Sequence, residues 1–345
     1  MVERAALSIM GYFFEQLRHP RYDEIHVSPH MDDTAYSCAG RILQRRQEGA
    51  RILVVTVFGN GKGELDSGDT GTFSDYKKRL EEECAVMQQL QVDHVWLNYP
   101  ELLFRKNGAS DLLRYLLPFM SLSGAAHDDL FETLLALLSE RLAPEGEVFF
   151  PFGVGFHPDH RVLFDVGRAL HGLGRFRVTF YEDVPYATVP ALRALRLSYL
   201  GAPSRFGLWR ATRDLNVFLF RNFGVWRALT WIPILLYLCC LRALHALLGS
   251  LDRGRDEPLP QLSVREIGDV IAQKADVMRL YPSQTAFFMT LGPELVEMIK
   301  FEGKSQELSW RFPPFPSPLA RLSPRQLRAS ETAPAVIPSS PGAAL

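Results

Sequence analysis

The hydrophobic pattern of the first half of the chain switches between two periods. Short apolar runs of strand character lie at Glu24–Pro29 (EIHVSP), Arg51–Phe58 (RILVVTVF), His94–Asn98 (HVWLN), Glu147–Phe152 (EVFFPF) and Arg177–Glu182 (RVTFYE). The second is nearly continuous and β-branched, the pattern of a strand covered on both faces. Helix-length stretches separate them. One runs over Thr34–Glu48 and is closed by Gly49; a second ends near Leu90, with Ser74 or Asp75 placed as its cap. A third reaches Leu142 with Asp128 or Asp129 as cap, and a fourth runs from about Pro158 to His171. Strand and helix alternating at this spacing predict an α/β fold, a mostly parallel sheet with helices on both faces.

Beyond Asp183 the alternation stops. Residues 190–251 are helix-like, arginine-rich and apolar, and Val264–Tyr281 has the period of an amphipathic helix that packs back on the α/β body. From Pro313 the chain is rich in Pro, Ser and Ala without usable period, which predicts a disordered tail. The opening twenty residues carry Glu3 and Glu15 and no long apolar stretch. They read as an amphipathic helix burying Phe13, Phe14 and Leu17, not as a signal peptide. The expected organisation is an α/β core over 1–189, a helical insertion over 190–251, the C-terminal part of the core over 252–312, and a tail over 313–345.

Composition narrows the class. With 47% hydrophobic and 22% charged residues over 345, neither wholesale disorder nor a polytopic membrane protein fits. A net charge of -1 argues against a dedicated nucleic-acid binder. The four cysteines (Cys38, Cys84, Cys239, Cys240) show no C-x-x-C pair, which fits free thiols in a reducing compartment and predicts a cytoplasmic protein.

Ligands in open α/β sheets bind at the carboxyl ends of the strands, so the residues just after each strand carry the candidate chemistry. After the first comes Ser28-Pro29-His30-Met31-Asp32-Asp33; after the fourth comes Gly153-Val154-Gly155-Phe156-His157-Pro158-Asp159-His160. Two strand ends of one sheet thus bring histidines and acids to one edge. A His/Asp/His set suits a three-ligand zinc site with an open fourth position, and a further carboxylate suits a general base. Either segment alone reads as a helix start, with an acid as N-cap or proline in the first turn. Together they favour the functional reading.

PHMDD followed by HPDH resembles the LmbE-like, or PIG-L, family of zinc-dependent N-acetylglucosaminyl deacetylases, whose members usually show H-P-D-D after the first strand and H-P-D-H later. The likeness extends over about residues 24–186. It includes Arg79 with Glu82 in an R-x-x-E pattern and the run YEDVPY at 181–186, and KADVMRLYPSQ (274–284) is similar to a C-terminal element of the family. The resemblance implies a Rossmann-like fold with His30, Asp33 and His160 as zinc ligands. It implies Asp32 as general base, His157 as acid or oxyanion stabiliser, and Asp159 as the partner orienting it. The implied reaction is hydrolysis of an N-acetyl group on an amino sugar or glycoconjugate. The alternatives are another acyl-amide or ester hydrolase with the same metal site, or a non-catalytic glycan-binding relative. Another divalent ion could replace zinc in such a site.

Departures from the family pattern are Met31 for the usual proline, Thr34 for a frequent acid, and Gly155, where some relatives in thiol-cofactor biosynthesis carry a tyrosine. Arg79 and Glu101 resemble substrate-binding positions; the competing readings are a helix-surface ion pair of Arg79 with Glu82 or Glu83, and an ordinary exposed loop acid at Glu101. Gly59-Asn60-Gly61-Lys62-Gly63 lacks the spacing of a phosphate loop and reads as a flexible rim. His26, His94 and His171 read as structural.

One charge asymmetry stands apart. Between Ala191 and Ser250 there are eight arginines and one acid, Asp214, together with Trp209, Trp226 and Trp231. The uncharged run Ala228–Cys240 is short for a membrane span, which needs about twenty apolar residues. Two readings follow. One is a helical hairpin that lids the site or forms a homo-oligomer interface. The other is peripheral membrane contact through 215–248, with arginines at anionic headgroups.

Overall fold

A computed structural model describes residues 22–60, 76–102, 125–142, 145–201, 213, 259–288 and 292–314. Seven strands form one sheet in the order β3-β2-β1-β4-β5-β7-β6. The first five are β1 (Glu24–Ser28), β2 (Ile52–Asn60), β3 (Asp93–Pro100), β4 (Glu147–Pro151) and β5 (Arg177–Tyr181), all paired in parallel. Each coincides with one of the apolar runs of the sequence to within a residue or two at its ends. β1 is buried at every position and lies between β2 and β4, the covering on both sides that an unbroken apolar strand requires.

Helices α1 (Asp33–Gln47) and α2 (Tyr76–Leu90) connect β1 to β2 and β2 to β3. α3 (Ala125–Arg141) precedes β4, and α4 (Pro158–Gly172) leads into β5. The chain moves outward from β1 to β3 on one side, then returns to build β4 and β5 on the other. The strand order therefore reverses between β1 and β4, the place where open α/β sheets bind ligands.

The C-terminal part departs from expectation. Val264–Tyr281 is not one helix: Gln261–Glu266 forms β6, and only Ile271–Arg279 (α6) is helical there, followed by α7 (Pro282–Phe288). β6 pairs antiparallel along its whole length with β7 (Gln306–Arg311), and β7 pairs antiparallel with β5. That pairing is distant in sequence, and β6 is an exposed edge strand, so no buried apolar face marks it locally. α5 (Pro190–Tyr199) opens the predicted insertion, and α8 (Leu295–Met298) precedes β7.

Two boundaries also shift. The helix before β4 starts at Ala125, so Asp129 lies inside it and does not cap it. β2 continues through Asn60, so the glycine-rich segment begins as strand. Its remainder at 61–75, the opening helix, most of the insertion and the tail from 315 lie outside the described residues.

Among the ties that fasten the C-terminal return to the body is one buried carboxylate. Glu307 of β7 accepts from the backbone N–H of Gly40 and of Arg41 at 2.8 Å each, and from Lys274 Nζ of α6 at 2.6 Å. A β-carbon on Gly40 would meet Glu307 Oε1 and Ile267 Cγ2 at 2.8 Å, so only glycine lets the strand come this close.

Candidate metal centre

The end of β1 turns straight into α1. Ser28 Oγ donates to the His30 carbonyl at 2.6 Å and accepts from Thr34 N–H at 3.1 Å, closing the turn over His30-Met31-Asp32. Asp32 occupies the N-cap position of α1 but makes no side-chain cap hydrogen bond, although it is buried. The ordinary capping role is therefore not what its carboxylate does here.

The end of β4 is a loop with unusual backbone. Gly153 and Gly155 have positive φ (78° and 85°), and so does the buried Phe156 (62°). A bulky residue in the left-handed region is strained, and such strain gathers where a site must be held. The loop delivers His157 as N-cap of α4, with Pro158 in the first turn. His157 Nδ1 accepts from the Asp159 N–H at 3.2 Å, which leaves Nε2–H as the hydrogen-bond donor of the neutral ring.

The two segments meet. The rings of His30, His157 and His160 lie 5.0–5.3 Å apart, centroid to centroid. His30 Nδ1 is 3.0 Å from Asp33 Oδ2, and His160 Nε2 is 3.3 Å from the same oxygen. His30 Nε2 is 3.1 Å from Asp159 Oδ2, which also accepts from Leu102 N–H at 3.2 Å. His30, Asp33 and His160 each offer a ligand atom within 4.8 Å of one another, and so do His30, His157 and Asp159. The donors fit a divalent cation: two imidazoles and a carboxylate are a zinc-type set, and the protons now shared between them are those that a cation displaces.

Electrostatics separates the two adjacent aspartates. Burial raises both, but His160 and His30 outweigh it at Asp33 and hold its carboxyl well below the ordinary range. At Asp32, burial and the neighbouring Asp33 outweigh the charges of Arg79 and His30 and push it up to about 6. Burial lowers His160 and His30, but carboxylates outweigh it. His160, facing Asp33 and Asp183, rises to about 9, and His30 also ends well above its usual value. At His157 burial, aided by the charges of His30 and His160, outweighs those of Asp159 and Asp33; the ring falls to about 3 and is neutral.

Asp183 has no place among the residues predicted for the site. Its Oδ1 accepts from His160 Nδ1 at 2.6 Å and its Oδ2 from Val154 N–H at 2.8 Å. It fixes the His160 tautomer so that Nε2 faces the centre. The available signal was its position just after β5, at the same sheet edge, inside the run YEDVPY that the family resemblance includes.

Arg79 and Glu101 are both buried and joined by Arg79 Nη1 to Glu101 Oε1 at 2.8 Å. The surface-pair reading of Arg79 and the exposed-acid reading of Glu101 are thereby corrected. Glu82 is engaged elsewhere, accepting from the N–H and hydroxyl of Ser283. Arg79 is near enough to Asp32 for their charges to act on each other.

Residues 25–171 match the PIG-L family, described as GlcNAc-PI de-N-acetylase. Two curated 2'-N-acetylparomamine deacetylases, from Niallia circulans and Streptomyces fradiae, are each 29% identical to the chain. The alignments cover 46% and 50% of this chain and 66% and 60% of those proteins. The chain thus spans a little under two thirds of these relatives. Among solved structures, the A40926 pseudoaglycone deacetylase superposes with a TM-score of 0.51 at 14% identity, over 86% of this chain and 99% of its own. That likeness is one of fold.

Proposed function

We propose that this chain, whose residues 25–171 belong to the PIG-L family, is a zinc-dependent N-deacetylase. It would hydrolyse an N-acetyl group on an amino-sugar-containing substrate to acetate and a free amine. The observation that carries the reading is the convergence of His30, Asp33 and His160 within 4.8 Å, at the sheet's reversal point. The curated relatives, both deacetylases of an N-acetylated amino sugar, support the substrate class.

His30, Asp33 and His160 would hold the ion. When bound, zinc supplies a Lewis acid and lowers the pKa of its water towards 7. Asp32, beside the ligands and not spent on capping, accepts the proton of the attacking water. His157, neutral and with Nδ1 taken by the Asp159 N–H, donates from Nε2 to the charge developing on the acetyl oxygen. Asp159 holds the His30 ring from the side opposite Asp33 and, through its own N–H, orients His157. Arg79 and Glu101, a buried pair beside Asp32, would line the sugar end of the pocket.

The test combines metal content with acetate release from N-acetylated aminoglycosides and N-acetylglucosamine conjugates. Asp32→Ala should keep zinc and lose turnover by about 100-fold or more. Asp33→Ala and His160→Ala should lose the metal itself. Full activity in Asp32→Ala would refute the assigned mechanism.

We extend the proposal to the cytoplasm as location, on the four cysteines without a C-x-x-C pair, and to 215–248 as a peripheral membrane contact, on the arginines and tryptophans of the stretch that holds it. No helix among the described residues is long and apolar enough to cross a membrane. The protein should float with anionic vesicles and be released by high salt. If it stays wholly in the aqueous fraction, the lid or homo-oligomer role of 190–251 takes its place.

A further inference from the structure

Glu83 lies on α2 one turn beyond Arg79, fully buried and outside the set of residues given a role above. Thr56 of β2 donates its hydroxyl to Glu83 Oε1 at 3.0 Å. Glu83 Oε2 is in hydrogen-bond contact with the hydroxyl of Tyr281, between α6 and α7. That same hydroxyl is 2.7 Å from the carbonyl oxygen of Met31, the residue between His30 and Asp32.

The protons do not balance if Glu83 is ionised. Tyr281 has one hydroxyl proton and faces two oxygens, of which the Met31 carbonyl can only accept. If the tyrosine donated to a Glu83 carboxylate, the Met31 oxygen would sit 2.7 Å from a hydroxyl oxygen with no proton between them. Ionising the tyrosine removes the last proton, and burial pushes Tyr281 well above its usual pKa in any case. The arrangement closes when Glu83 carries a proton, donates it to Tyr281 Oη, and Tyr281 donates onward to Met31.

We infer that Glu83 is a neutral carboxylic acid that, acting through Tyr281 on the Met31 carbonyl, positions the turn presenting His30, Asp32 and Asp33. It is a positioning residue, with no contact to the reacting atoms. The surroundings agree. Burial pushes Glu83 up to about 8, and the charge of Asp32 at the head of α1 acts in the same direction. The hydrogen-bond contacts with Tyr281 and Thr56 and the charge of Arg79 on its own helix act against it, and Cys84 beside it adds no opposing charge. Above that value Glu83 would take up the tyrosine's donor, and the Met31 carbonyl would be left without one.

The inference rests on the proposed metal site, and its test reads protonation, which does not depend on that site, and zinc affinity, neither of them through turnover. Infrared titration of the full chain should show a protonated-carboxyl band that disappears near pH 8 and is missing from Glu83→Gln. Zinc affinity, measured by competition with a chromophoric chelator, should be unchanged within about twofold in Glu83→Gln, whose amide supplies the same donor and acceptor. It should weaken by about tenfold or more in Glu83→Ala and Tyr281→Phe, the size expected when an outer partner of a ligand is lost. The parental affinity should fall towards those variants above about pH 8, while Glu83→Gln should show no such added loss. If Glu83→Gln is as impaired as Glu83→Ala, or if no carboxyl band is lost with it, the neutral acid is excluded. Failure of acetate release in every protein, with these results intact, would count against the deacetylase reading alone.

Discussion

Tyr186 lies against Gly155 where a side chain would have to begin: a β-carbon on Gly155 would come within 2.5 Å of Tyr186 Cγ. The ring stands edge-on to His160 at 6.1 Å, so the face of the site that Gly155 leaves open is covered by a tyrosine from a later element. The missing tyrosine at 155 is therefore not an empty place. Gly155 also has φ +85°, which any side chain would strain. Gly155→Ala should destabilise the protein by about 1–3 kcal/mol through the clash alone. Because Tyr186 packs edge-on to His160 and would have to shift, zinc binding should weaken in the same variant. Thermal melts with and without zinc check both; an unchanged melting temperature would mean that Tyr186 moves aside freely.

Arg79 and Glu101 form a buried pair, and removing one partner strands the other's charge. Arg79→Met should cost about 3–5 kcal/mol while Glu101 remains, and Glu101→Gln should cost less because an amide still accepts. The double variant Arg79→Met, Glu101→Leu should be more stable than Arg79→Met alone. A denaturant-unfolding cycle measures the coupling. Additive losses would show that the two side chains are solvated separately. For activity, both single variants should raise KM more than they lower kcat if the pair meets the sugar.

How much of this was readable beforehand depends on whether the determining contacts are local. Strands β1, β2, β4 and β5 bury their side chains on both faces, which writes an apolar run into the chain, while β3 is buried only at Val95 and Leu97. β6 (QLSVRE) has no such run because it is an exposed edge, held by backbone pairing to β7. The candidate metal centre was legible because its members come in two compact groups at strand ends, PHMDD and HPDH. Asp183 sits in the run YEDVPY, but its role shows only when His160 Nδ1 is seen 2.6 Å away. The partner of Arg79 was misjudged for a similar reason. Helical spacing offers Glu82 and Glu83, but Ser283 occupies the first and Thr56 with Tyr281 the second, leaving Glu101 from beyond β3.

Acid should weaken the opposite edge of the sheet. Glu24 at the start of β1 is buried, and burial alone would raise its pKa. The hydrogen bond and charge of His26, then those of Arg41, outweigh this and hold the carboxyl below its ordinary range. Arg41 binds it through Nε at 3.0 Å and Nη2 at 2.7 Å, and Arg45 Nε adds a contact at 2.7 Å. A carboxylate with a depressed folded value contributes stability above its unfolded pKa of about 4.3 and loses it as pH falls through the folded value. Glu24→Gln should therefore cost about 2 kcal/mol at pH 7. The difference from the parent should shrink steadily below about pH 4. A gap that widened in acid would reverse the sign argued here.

The hydrogen bond from His160 to Asp183 should control the metal more than the fold. Asp183 is buried and makes two contacts, one to His160 Nδ1 at 2.6 Å and one to Val154 N–H at 2.8 Å. Asp183→Asn can keep one acceptor and the shape of the side chain, but it removes the charge that favours His160 with its proton on Nδ1. The ring is then freer to turn or change tautomer, and its Nε2 is a poorer donor to a cation. Zinc affinity should fall by about 10–100-fold, the usual effect of losing a carboxylate behind a ligating histidine. Without zinc, the sign of the pH effect is also determined. His160 is raised to about 9, so the stability it draws from Asp33 and Asp183 is full below its unfolded value near 6.5 and is lost as pH rises through about 9. In Asp183→Asn that alkaline loss should begin at lower pH. Metal-free melts across pH 6–10, set beside chelator competition at fixed pH, separate the two effects. Unchanged zinc affinity in Asp183→Asn would show that His160 is oriented by its packing on α4 and not by this carboxylate.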